Sequence, residues 1–73
     1  MASKIRLRRK VGYSEDYTPG KNVAIGRSHG YSFLTIARQL QALANLENKT
    51  NPEGAFSFRA AAKVARRKHA EGY

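Results

Sequence analysis

The stretch Ser32–Leu46, SFLTIARQLQALANL, decides how the rest of the chain is read. Phe33, Ile36, Ala37, Leu40, Leu43 and Ala44 recur at three- and four-residue spacing, which places them on one stripe of an α-helix. Arg38, Gln41 and Asn45 fall on the opposite side. Ala, Leu, Gln and Arg favour helix, and no Gly or Pro interrupts the run. Ser32 supplies an N-cap, a hydroxyl that can accept from a free backbone N–H of the first turn. Leu34 and Leu46 lie off the main stripe, so a central amphipathic helix over 32–47 is expected to touch neighbours on more than one side.

On its C-terminal side, Asn51-Pro52-Glu53 combines a capping side chain, a proline at the first helical position and an acid in the first turn. Gly54 speaks against a start there and leaves Ser57 as the alternative. The expected helix covers 52–70 and stops at Gly72. Phe58, Ala61, Val64 and Ala65, with Ala62 more loosely, form one face, and the small alanines suit close contact with Leu40 and Leu43. Arg59, Lys63, Arg66 and Arg67 form the other, extended by Lys68 and His69. The helix dipole favours cations in a last turn. Arg59 and Lys63 are too far from the C-terminus for that explanation.

On the N-terminal side, Gly26–Tyr31, GRSHGY, precedes a helix N-terminus, where free N–H groups attract anions. Arg27, Ser28, His29 and Ser32 are therefore candidates for a phosphate cradle, against the blander reading of a flexible connector. Neither P-loop nor dinucleotide-fingerprint spacing is present. Val23-Ala24-Ile25 is a short apolar run, and Thr18-Pro19-Gly20-Lys21 has the proline and glycine positions of a type II turn. Lys4–Val11, KIRLRRKV, alternates: Ile5, Leu7 and Val11 face one way and Lys4, Arg6, Arg8 and Lys10 the other, with Arg9 breaking the apolar side. The two runs are expected to pair as a short hairpin, which needs the central helix as a lid. The basic rail reads either as an edge protected from aggregation, as a polyanion contact, or as an arm that orders on its partner. Tyr13 and Tyr17 flank the adjacent acids Glu15 and Asp16, and are read as hairpin packing or as contacts to phosphate and base.

Composition bounds the function. The chain has 73 residues, one domain at most, with no cysteine to staple it or ligate a metal. It contains no apolar run of membrane-spanning length and no secretory signal. Its net charge of +9 costs self-repulsion and implies a polyanionic partner. Residues 1–10 carry +5, 11–30 carry 0, 31–50 carry +1 and 51–73 carry +3. Catalysis is poorly supported: His29 and His69 stand far apart, and Ser28 and His29 are sequence neighbours, an arrangement in which a nucleophile and its base rarely work.

The expected fold is α+β, a short N-terminal β-hairpin (1–11 a basic strand, 12–31 a turn, short strand and Gly-rich loop) followed by two helices. The alternative is mostly α with an extended basic arm. The expected function is non-enzymatic nucleic-acid binding, to DNA or RNA, mainly through phosphates. The contact residues would be Lys4, Arg6, Arg8, Arg9 and Lys10 on the strand and Arg59, Lys63, Arg66 and Arg67 on the helix, with Arg27 and His29 secondary. The competing readings are a structural component of a virion or ribosome, in contact with other protein subunits, and a small adaptor or inhibitor that binds an acidic protein surface. No cofactor, metal or membrane partner is expected, and the location would be cytoplasmic or within a nucleoprotein particle.

Overall fold

A computed structural model describes residues 11–72 and contains the central helix as α2, Phe33–Glu47, with Ser32 as its N-cap. The Ser32 Oγ accepts from the Thr35 N–H at 3.2 Å. Ile36, Ala37, Leu40, Leu43 and Ala44 are buried and Phe33 is half-buried, as the period requires. Leu34 and Leu46, by contrast, remain exposed.

The C-terminal helix, α3, runs Pro52–Ala70. Asn51 caps it, its Oδ1 accepting from the Gly54 N–H at 3.3 Å. The helix therefore starts at the proline and not at Ser57. Gly54 is explained by packing. A Cβ there would lie 2.6 Å from both Asn51 Nδ2 and Glu47 Oε1. Phe58, Ala61, Ala62 and Ala65 are fully buried.

The hairpin is not found. Among the described residues the fold is all-α, with three helices and no strand, and it is the mostly-α alternative that fits. The strand expected over Lys4–Val11 lies outside the described residues apart from Val11, which is buried. Its expected partner, Val23–Ile25, belongs to a helix, α1, Pro19–Ser28. Thr18-Pro19-Gly20-Lys21 is the start of that helix and not a type II turn. Thr18 caps it, Oγ1 accepting from the Lys21 N–H at 3.2 Å, and Pro19 occupies the first turn, where its missing N–H costs nothing. The buried residues of α1 are Asn22, Val23 and Gly26, a stripe made largely of an amide and a glycine. Asn22 is fully buried because it has partners: Nδ2 donates to the Ser14 carbonyl at 2.9 Å and Oδ1 accepts from the Ser14 N–H at 3.1 Å. This two-point clamp ties the 12–17 segment to α1.

α2 and α3 make the main interface, and α1 packs chiefly on α3. Gln41 meets Arg66 and Asn48 meets Arg59, so α2 and α3 run antiparallel. The core joins Ile36, Leu40 and Leu43 to Phe58 and the α3 alanines, with Val11, Tyr13 and Val23 completing it from the N-terminal side. Each large apolar side chain removed from water contributes on the order of 1.5–3 kcal/mol.

Candidate nucleic-acid interface

α3 is amphipathic in a particular way. Its buried face of Phe58, Ala61, Ala62 and Ala65 is neutral and small, and its outer face carries Arg59, Lys63, Arg66 and Arg67, all exposed. No acid stands between Glu53 and Glu71. At ~1.5 Å rise per residue the four cations span about 12 Å along the helix. The like-charge pairs Arg59–Lys63 and Lys63–Arg67, four residues apart, each oppose the helix by about 0.2–0.5 kcal/mol. An anion laid along them removes that repulsion.

The side-chain hydrogen bonds these cations make go to amides of α2. Arg59 Nη2 donates to Asn48 Oδ1 at 3.3 Å, and Arg66 Nη2 donates to Gln41 Oε1 at 3.4 Å. Gln41 Nε2 in turn donates to Asn45 Oδ1 at 3.1 Å. Both guanidinium bonds are long, and each uses one of several N–H donors. The arginines are thus steered along the α2–α3 seam with most of their donor capacity left over. The central helix contributes to this surface, since its edge of Gln41 and Asn45, with the C-cap Asn48, borders the cationic face. Gln39, by contrast, is half-buried and is taken up by Tyr13, whose hydroxyl donates to Gln39 Oε1 at 2.7 Å.

One further residue belongs to this face. Phe56 is 69% exposed, and with Arg59, Ala60 and Lys63 it lines a shallow depression of about 150 Å³. The sequence reading omits it, although the spacing of the phenylalanines holds the signal. Phe56 and Phe58 are two residues apart, hence about 200° apart around the helix, so both cannot be in the core.

Arg27 and His29 sit elsewhere, at the C-terminal end of α1, and both are exposed. Arg27 Nη1 donates to the Tyr31 carbonyl at 3.0 Å, and its guanidinium lies 4.6 Å from the Phe33 ring centroid. His29 is the C-cap, its ring stacked on Tyr31 at 6.1 Å. The hydroxyls of the expected cradle have local partners: Ser28 Oγ donates to the Ile25 carbonyl, and Ser32 Oγ serves Thr35. The cradle is therefore a helix C-terminus followed by a capped N-terminus. Lys4, Arg6, Arg8, Arg9 and Lys10 lie outside the described residues.

Several carboxylates gather around the start of α3. Glu15, Asp16 and Glu53 line a polar hollow of about 240 Å³ with Asn51 and Gly54. Asn51 Nδ2 donates to Glu15 Oε2, and also to Oε1 of the largely buried Glu47 at 3.2 Å. Among the described residues no group of three or more His, Asp or Glu is arranged to hold a metal ion. No described helix is long and apolar enough to cross a membrane. Comparison of the chain with protein-family models, with curated proteins and with solved structures gives no match.

Proposed function

We propose that this chain is a non-enzymatic nucleic-acid-binding protein that grips the phosphate backbone with the outer face of α3. One observation carries the reading: Arg59, Lys63, Arg66 and Arg67 form a continuous exposed ladder, and among the described residues the side-chain hydrogen bonds of Arg59 and Arg66 run to amide oxygens. Such a ladder costs stability in isolation and is repaid when it neutralises phosphates and releases their counterions. The amides of Gln41, Asn45 and Asn48 border it and are chemically able to contact bases. The basic segment of residues 1–10 adds five cations to the same polyanion-seeking balance.

The test is titration of labelled duplex DNA and of structured RNA across a salt series. Affinity is expected to fall linearly on logarithmic axes. Arg59→Ala with Lys63→Ala is expected to reduce the slope by about two, close to one for each phosphate that is no longer neutralised. Glu53→Gln, in the acidic hollow, serves as the control and should leave the slope unchanged. Absence of binding to either nucleic acid at low salt would overturn the proposal.

A further inference from the structure

The exposed ring of Phe56 is the feature of the cationic face that phosphate contact does not use. Folding gives no reason for it, since at 69% exposed it is by far the most solvent-accessible large apolar side chain among the described residues. Tyr17, Leu34 and Leu46 are each little more than a third exposed. Tyr17 already has Lys21 over its ring at 4.1 Å. Leu34 and Leu46 stand near opposite ends of α2. Among the described residues the free apolar surface of this face is therefore a single ring and not a contiguous patch of the size that protein docking uses. What surrounds the ring is charge: Arg59 is three residues on and Lys63 seven residues on, along the same side of α3, and both line the depression that Phe56 opens onto. An isolated aromatic face with two cations beside it, one and two turns toward the C-terminus, suits a flat π-system that carries anions on that side.

Resting on the nucleic-acid reading above, we propose that Phe56 is a stacking platform for an unpaired nucleobase, with Arg59 and Lys63 holding the phosphates that run from it toward the C-terminal end of α3. The partner is then single-stranded nucleic acid, or a looped-out base, in preference to a perfect duplex, whose bases present only their edges. Stacking tolerates any base, because each has a π-face, so the preference is for strandedness and not for sequence.

The experiment measures the affinity of the full chain for a short labelled single strand of mixed sequence and for the same strand annealed to its complement. Wild type is compared with Phe56→Ala, Phe56→Trp and the exposed apolar control Leu46→Ala. Phe56→Ala should weaken single-strand binding about ten-fold, within the range expected for removing one base stack, and change duplex binding less than about two-fold. Its helical circular dichroism should match wild type, because the ring is exposed and alanine favours helix. Phe56→Trp should restore single-strand affinity. The chain has no other tryptophan, so its fluorescence reports on this site alone and should be quenched by the single strand and not by the duplex. If Phe56→Ala lowers both affinities equally, or lowers neither while wild type still binds with a salt dependence, the stacking role is wrong and the phosphate reading survives. If wild type binds neither form at low salt, both proposals fall together.

Discussion

Gly26 shows how much one residue can decide in a chain this short. It is buried in α1 where the helix meets α2 and the Tyr13 ring, and a Cβ there would lie 2.6 Å from Ile36 Cγ1 and 2.7 Å from the Tyr13 hydroxyl. Gly20, in the first turn of the same helix, has nothing within 4 Å. Alanine at either position gains helix propensity, about 0.5–1 kcal/mol. At Gly26 that gain is outweighed by overpacking of about 1–3 kcal/mol. The two substitutions should therefore move the urea midpoint in opposite directions, Gly20→Ala up and Gly26→Ala down. The Tyr13 hydroxyl that limits Gly26 is itself held in place by Gln39, and burial, with the neighbouring Tyr31 second, pushes its pKa up to about 12 from the ordinary 10.0. Between those two values the folded state holds a proton that the unfolded state releases, so stability falls as pH rises. At pH 7 wild type should exceed Tyr13→Phe by about 1 kcal/mol, the worth of one hydrogen bond. That advantage should shrink above pH 10, vanish by about pH 11 and reverse toward pH 12 in paired denaturation curves, because each unit between the two values removes about 1.4 kcal/mol.

At the scale of elements, what the sequence made legible depended on whether the buried face was built of apolar residues. α2 was legible to within a residue because its stripe is Ile, Leu and Ala at helical spacing. α3 was legible because Asn51-Pro52-Glu53 announced its start and Phe58 with the alanines gave its face. α1 has the same opening signal in Thr18-Pro19. Its stripe of Asn22, Val23 and Gly26 leaves no hydrophobic period to find, and Val23-Ala24-Ile25 then passes for a strand. The clamp of Asn22 on Ser14 is a tertiary fact that no local pattern encodes. Asn51 is a second such junction. It caps α3 and also places its amide between Glu15 and Glu47, with Gly54 making room. Asn51→Asp preserves the cap, since Asp caps as well as Asn. It also replaces a donor by a third carboxylate facing two others. A loss of about 2 kcal/mol at pH 7 is expected. The loss is read from paired urea denaturation curves. No loss on Asn51→Asp would mean that Asn51 acts as a cap alone.

Over the whole molecule, the cations of α3 were legible as one exposed face because helical spacing alone puts Arg59, Lys63, Arg66 and Arg67 together. The border of Gln41, Asn45 and Asn48 was not, because it depends on the antiparallel register of α2 and α3. Arg27 and His29 were drawn in by glycines that mark the end of a helix, and nothing in the geometry joins them to α3. The charge of this candidate face also acts on the fold. Five acids oppose fourteen Lys and Arg, and the carboxylates collect mainly around the hollow beside Asn51, so among the described residues Arg59, Lys63, Arg66 and Arg67 repel one another with little compensation. Salt should then act on stability and on binding with opposite signs. Raising ionic strength from about 20 mM to 150 mM shortens the screening length to roughly 8 Å, comparable to the span of the α3 ladder. Relief of self-repulsion worth about 0.5 kcal/mol should raise the melting temperature of the free protein by about 3 °C. Over the same interval, affinity for nucleic acid should fall by at least about ten-fold as counterion release loses its drive. A short polyanion at low salt should raise the melting temperature as added salt does, and its effect should disappear as salt is added. If salt lowers the melting temperature of the free protein, cation repulsion is not what opposes folding here, and the cost ascribed to the Arg59–Arg67 ladder has been put in the wrong place.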